Sequence, residues 1–538
     1  MPEEAGANPP VEITRRVFAL VAALLCAMAV PAPHANAAAF GEPLWTNRYN
    51  GESYVYFDYA TAVGVDGSGN VFVTGYSTGN GYDYATIKYS GAGTELWIRR
   101  FNLSTNGGND YATALAVDGS GNVFVTGYSG IVASLYDYVT IKYSGAGVPL
   151  WTNRYKGPGN GADYARAIAV DGSGNVFVTG GSSNGTNSDY ATVAYSGAGV
   201  PLWTNLYDGA GNSNDFATAM AADGNGNVFV TGWSYGSADS YENVTVAYSG
   251  AGVPSWTNRF GGPHRFYYTN AVSVAVDASG NVFVTGESYN GTNSDYATVA
   301  YSGAGVPLWT NLYNGPGNGD DSARAIAVDA SGNVFVTGYS YGAGSDYDYA
   351  TVAYSGAGVP LWTNRYNGPE NRGDYARAIA VDRSGNVFVT GDSYIIYDSA
   401  NYATVAYSGA GVPLWTNCYI GPEAQDCATA IAVDGSGNVL VTGFSAGFGG
   451  NGPDYATIKY AGFNYNLPTI TQITADSGRA QIVLDAQPNH AYTVEFRDAL
   501  DAGNWLTLTS IAAQPIATNI SVTNAITNGA RFYRVRTP

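Results

Sequence analysis

The 538 residues carry a formal net charge of −19 with only 12% charged side chains, and they include 71 Gly and 44 Tyr. An acidic balance of this size argues against a nucleic-acid partner, because phosphate-backbone binding needs clustered Lys and Arg that release counterions. Long helices are not expected from the same composition, which is that of a turn-rich, aromatic all-β chain.

The first 37 residues read as an export signal, with Arg15 and Arg16, the apolar run Val17 to Val30 and the small-residue site Ala35-Asn36-Ala37. The run is too short to span a bilayer, so no membrane span is expected after cleavage, and the protein is expected outside the cytoplasm: extracellular, on the cell surface or periplasmic. Thr14-Arg15-Arg16-Val17-Phe18 also resembles a twin-arginine signal, and both export routes stay open.

A decapeptide then organises the chain. Asp-Gly-Ser-Gly-Asn-Val-Phe-Val-Thr-Gly begins at Asp66 and returns with small changes at Asp118, Asp171, Asp223, Asp277, Asp329, Asp382 and Asp434, at spacings of 52 to 54 residues. Self-similarity at such a period marks a repeat architecture. Each period predicts four strands, here lettered A to D; in the third copy they are Tyr164 to Val170, Val176 to Gly181, Tyr190 to Ser196 and Pro201 to Tyr207. Strand A alternates Tyr164, Arg166, Ile168 and Val170 with Ala165, Ala167 and Ala169, which predicts one face made only of alanine at a crowded centre. Tight Gly-rich turns join A to B and C to D, while the D to A and B to C connections are longer and vary.

Four antiparallel strands repeated eight times predict an eight-bladed β-propeller over residues 38–461. The array starts with a lone D strand at Trp45 and ends with A, B and C, so the N-terminal strand is expected to complete the last blade. The decapeptide units resemble the bacterial SBBP β-propeller repeat, over about residues 44 to 461. The C to D hairpin from Ala194 to Trp203 is similar to the tryptophan-docking motif of quinoprotein propellers, one residue shorter, and no quinone ligand set accompanies it, so the resemblance implies no cofactor.

Residues 462–468 read as a linker. Residues 469–538 alternate in short runs such as Ala491 to Arg497, Trp505 to Thr509 and Arg531 to Arg536, and this segment resembles a small β-sandwich of the fibronectin type III or immunoglobulin-like kind, expected to act as a spacer or attachment module.

Three sets of residues are candidates for function. Asp58, Asp110, Asp163, Asp215, Asp321, Asp374 and Asp426 open strand A and form a candidate cation ring at one mouth of the channel, with calcium as the one cofactor considered; loop closure by short Asp side chains is the competing reading. Trp233 and Glu242, with His264, Arg265, Tyr267 and Tyr268 of the fifth D to A loop, break the symmetry of the repeat and form a candidate sugar or peptide site, since rings supply apolar contact and charged groups directional hydrogen bonds. Cys418 and Cys427 are the only cysteines beyond the signal, and an exported pair so spaced is expected to form a disulfide. Only His264 and His490 remain as histidines after the signal, and no catalytic triad spacing exists. The reading is a secreted or surface-held binding or adhesion scaffold for an extracellular glycan or protein. A glycan-active enzyme and an inert structural surface protein are its alternatives.

Overall fold

The computed structural model describes residues 40–538 apart from 52–56, 104–106, 131–134, 237–240, 262–268, 397–398, 424, 448–451, 463–468, 477–478, 487–491, 498–505, 513–517, 526–531 and 537–538. The signal segment and most of the linker lie outside these residues. No helix among the described residues is long and apolar enough to cross a membrane.

The repeat folds as eight four-stranded antiparallel blades. Blade 1 is Asp58–Val65, Val71–Gly79, Gly81–Tyr89 and Glu95–Phe101, and blades 2 to 7 follow in the same A to D order, opening at Asp110, Asp163, Asp215, Thr269, Asp321 and Asp374. Blade 8 is built from Asp426–Val433, Val439–Ala446 and Pro453–Tyr460, and its fourth strand is the N-terminal Pro43–Tyr49. The A strands touch one another in sequence around the ring, and that of blade 8 touches that of blade 1. The eight blades therefore close into a ring, an eight-bladed β-propeller.

Each tight A to B turn is set by its aspartate. Asp66 accepts hydrogen bonds from the Ser68 and Asn70 amides on Oδ1 and from Asn70 Nδ2 on Oδ2, and Gly69 supplies the left-handed residue at φ 78°. The same triad of bonds recurs in the other copies, for example at Asp171 and Asp434. The C to D hairpin docks on the preceding blade: the Trp151 ring covers Gly199, and its Nε1 donates to the Gly197 carbonyl at 3.2 Å.

Between blades the core repeats as well. Phe124 and Tyr138 of blade 2, for instance, pack on Val176, Val178 and Val193 of blade 3. A fully buried tyrosine of strand C reaches a backbone carbonyl of the next blade at seven of the eight junctions: Tyr84 to Val139, Tyr138 to Ala191, Tyr190 to Val244, Tyr296 to Ala350, Tyr349 to Ala403, Tyr402 to Ala456 and Tyr455 to Ala85. Blade 4 has Asn243 at that place.

The uniform alanine face is not formed. Ala165 pairs with Gly180 and Ala167 with Thr179, so Arg166 is an extra residue in a β-bulge. One inserted residue reverses the alternation beyond it, which puts Tyr164 on the same face as Ala167 and Ala169 and away from Ile168 and Val170. The bulge recurs in every A strand.

Beyond the propeller, two three-stranded antiparallel sheets share a core of Ala480, Ile482, Leu484, Val494 and Val522. Arg479–Ala486 is the central strand of one sheet and Tyr492–Arg497 that of the other.

Candidate functional site

The longer D to A and B to C connections share one face of the propeller, and the bulge in strand A shapes the channel mouth there. In four blades the bulged residue is threonine, and it ties adjacent blades: Thr61 donates to the Ala112 carbonyl, Thr113 to Ala165, Thr218 to Ala271 and Thr429 to Ala60. In three blades it is arginine, at positions 166, 324 and 377. Arg166 is exposed.

Around this mouth the residue after the Asp of strand A meets the residue after Thr-Gly of strand B in the neighbouring blade. The rings interleave as Tyr76 with Tyr111 at 4.9 Å between centroids, Tyr128 with Tyr164 at 5.0 Å, Tyr339 with Tyr375 at 4.9 Å and Phe444 with Tyr59 at 4.7 Å. Where strand B offers Gly181, the Phe216 ring fills the space, and a Cβ there would lie 2.4 Å from it. Burial pushes the Tyr111 and Tyr375 hydroxyls up to about 12, so these groups remain neutral at physiological pH.

Two polar breaks interrupt the aromatic girdle. At the first, Glu287 accepts from Ser322 and faces Arg324 at 3.7 Å, while Arg324 lies over the Tyr339 ring and donates to its hydroxyl. At the second, Arg377 donates through Nε at 2.8 Å and Nη2 at 2.6 Å to Asp392, which is only 2% exposed. Burial holds the Asp392 carboxyl above its ordinary range, against the pull of Arg377. A cavity of 490 Å³ bounded by Val272, Arg324, Tyr339, Tyr375, Arg377 and Thr429 opens between the two breaks, and a second of 240 Å³ lies against Asp392, Gln425, Cys427 and Phe444.

The expected site residues are distributed differently. Trp233 is a member of the girdle, 4.6 Å from Phe216 and edge-on to Tyr241. Glu242 is bound to Arg259 at 2.9 Å, and Arg259 also donates to Tyr207 of the preceding blade. Trp233 pairs with Asn243 and Ser234 with Glu242, so the two side chains point to opposite faces of one sheet and do not form one surface. His264, Arg265, Tyr267 and Tyr268 lie outside the described residues, as does His490.

The seven aspartates of strand A are all buried and are held within their own blades. Asp163 accepts from the Gly157 amide at 2.8 Å, from Ser182 Oγ at 2.6 Å and from the Ser183 amide at 3.0 Å. Asp58, Asp110, Asp215, Asp321, Asp374 and Asp426 each take the corresponding amide of the D to A loop. Burial pushes the Asp374 carboxyl up to about 6. The geometry is that of loop closure.

The expected disulfide between Cys418 and Cys427 is not formed in the structure, where both are free thiols. Cys418 sits on the outer strand of blade 7 and Cys427 on the inner strand of blade 8. Three inter-strand gaps of about 4.8 Å separate inner from outer strands, and this exceeds the roughly 7 Å that a disulfide can bridge between Cα atoms. Cys418 instead approaches the Tyr366 hydroxyl at 3.7 Å, and Cys427 lies beside Asp392, with burial holding its thiol protonated.

The polar breaks were missed by sequence reasoning, although a signal existed. Within the nearly constant decapeptide region, the residue after Thr-Gly is Tyr76, Tyr128, Gly181, Trp233, Glu287, Tyr339, Asp392 or Phe444, and that freedom marks a position facing the mouth.

Fold and girdle together define a propeller scaffold suited to a binding or structural role. The chain carries the SBBP beta-propeller repeat at residues 96–131, 206–237, 308–344 and 362–398. Each match begins in a D strand and continues through A and B of the next blade, so the sequence repeat is out of phase with the blade. No curated protein matches the chain. Among solved structures it is similar to Sqt1 from Chaetomium thermophilum, at 12% identity and a TM-score of 0.46 over 77% of this chain and all of that one. It is also similar to the β-propeller domain of the Trilobed protease from Pyrococcus furiosus, at 9% identity and a TM-score of 0.40 over 68% of this chain and 98% of that one.

Proposed function

We propose that the protein is an exported binding scaffold that presents the loop-side channel mouth of its propeller to an extracellular glycan. The observation that carries this reading is the aromatic girdle interrupted by the Glu287–Arg324 and Asp392–Arg377 pairs. Sugar rings stack their C–H faces on aromatic side chains, and paired hydroxyls match the parallel donors and acceptors of guanidinium and carboxylate groups. The small C-terminal sheets serve as a spacer or attachment module.

A glycan array probed with the mature chain is expected to give hits at micromolar protein, and the same glycans incubated with it are expected to be recovered uncut. Reducing ends released from a bound glycan would replace the scaffold with a glycan-active enzyme. A blank array would leave the structural role.

A further inference from the structure

Strand D carries an arginine facing the acid that opens strand C in five blades. The pairs are Arg48 with Asp454, Arg100 with Asp83, Arg154 with Asp137, Arg259 with Glu242 and Arg365 with Asp348. A buried carboxylate needs such a partner, because leaving its charge uncompensated away from water is costly. Blade 7 removes both charges together, with Cys418 in the place of the arginine and Asn401 in that of the acid. Blades 3 and 5 do neither. They keep Asp189 and Asp295, 4% and 5% exposed, and have Leu206 and Leu312 where the arginine would stand.

In blade 3 the imbalance is increased. The exposed Asp208, just after strand D, and the buried Asp215, which opens blade 4, approach Asp189 so that one carboxylate oxygen of each lies within 4.8 Å of the other two. Among the described residues this is the one group of three acidic, histidine or cysteine side chains so arranged. Asp189 accepts from Asn184 Nδ2 at 3.0 Å through Oδ2, while its buried Oδ1 has no hydrogen-bond partner. Burial, then the Asp208 and Asp215 charges, raise the Asp189 carboxyl above its usual range. Blade 5 is an internal control: Asp295 likewise has an Asn290 contact and an unpartnered Oδ1, but Asn314 occupies the place of Asp208 and no such cluster forms, so the third carboxylate is what sets blade 3 apart.

We propose that Asp189, Asp208 and Asp215 bind calcium at the junction of blades 3 and 4, where the ion takes the place that a guanidinium holds in five other blades. Two observations support this independently of the clustering: the missing counter-charge at a position where the same chain elsewhere supplies one, and the unpartnered buried oxygen of Asp189. Calcium accepts oxygen ligands at about 2.3–2.6 Å, so oxygens on opposite sides of one ion lie about 5 Å apart, and three within 4.8 Å suit it. The absence of nitrogen and sulfur donors from the group favours a hard cation over zinc or copper. Asp215 already accepts the Gly209 amide on Oδ2 and the Tyr235 amide on Oδ1, with Ser234 as a further partner, and a lone pair on Oδ2 remains for the ion.

The test uses the full mature chain stripped with a chelator, titrated with calcium in a calorimeter and followed by terbium luminescence excited through tyrosine. One ion per chain is expected, with a Kd on the order of 10⁻⁴ to 10⁻³ M as in extracellular calcium modules. Asp208→Asn gives blade 3 the residue that blade 5 carries, so it keeps the fold, and it is expected to weaken binding by about 10-fold or more. Leu206→Arg supplies the guanidinium of the other blades; it is expected to abolish calcium binding and to raise the melting temperature of the chelator-treated protein. Calcium affinity in Asp208→Asn equal to that of the parent would overturn the proposal, and so would a parent that takes up no ion at about 10 mM calcium, well above the affinities of such modules.

Discussion

Deleting residues 40–50 is expected to lower the melting temperature by roughly 5 to 10 °C and to make the protein aggregate, because blade 8 then has three strands and an open edge. The lost strand runs antiparallel to Pro453–Tyr460, with Trp45 opposite Lys459 and Tyr49 opposite Tyr455. Arg48 donates to Ser445, Asp454 and the Tyr419 hydroxyl, so one side chain links three strands of blade 8 to blade 7. Trp45 packs on Gly93 of blade 1 and donates to the Gly91 carbonyl at 3.1 Å, and Asn47 donates to the Gly93 carbonyl at 2.7 Å. On the other side the Trp415 ring covers Gly41. The segment thus contributes a strand ladder and both neighbouring docking contacts. A buried aromatic alone contributes about 2 to 3 kcal/mol, and the whole segment more than about 5 kcal/mol. Scanning calorimetry with light scattering checks this. Melting unchanged from the full chain would mean that the ring closes in another way.

Tyr349→Ala is expected to cost about 3 to 5 kcal/mol, read as a shift of the urea midpoint, whereas Tyr349→Phe should cost about 1 kcal/mol. The side chain is 1% exposed, packs at a tilt against Tyr366 with 5.3 Å between ring centroids and donates to the Ala403 carbonyl at 3.2 Å in the next blade. The alanine variant therefore removes both ring volume and an inter-blade bond, and the phenylalanine variant only the bond. Equal losses in the two variants would show that the ring volume contributes nothing at this junction.

What the sequence made legible was whatever is local and repeated. Asp66 and its copies sit two and four residues from the amides they bind, so their turn could be read from spacing alone. The closure by Pro43–Tyr49 could be read from the phase of the array, since a strand missing at one end and present at the other has one economical solution. Register decided the rest. A single bulged residue at Arg166 moved Tyr164 to the face of Ala167, and no alternation pattern announces a bulge. Trp233 and Glu242 are both irregularities of one blade, yet the pairings Trp233 with Asn243 and Ser234 with Glu242 send them to opposite faces. Cys418 and Cys427 are near in sequence but lie on outer and inner strands, a separation across the sheet that spacing along the chain does not encode. The Glu287 and Asp392 breaks are recognised only when the residues after Thr-Gly are compared across all eight copies.

Binding at the loop-side mouth is the central claim, and alanine variants on the two faces test it most directly. Tyr375→Ala and Trp233→Ala alter the girdle, and Arg383→Ala alters an exposed residue of the A to B turn on the opposite face. With a glycan found on the array, the two girdle variants are expected to bind about 10-fold or more weakly, as loss of a stacked aromatic and its ordered neighbours implies, while Arg383→Ala binds as the parent does. Full affinity in both girdle variants together with a loss in Arg383→Ala would place the ligand on the tight-turn face and contradict the account.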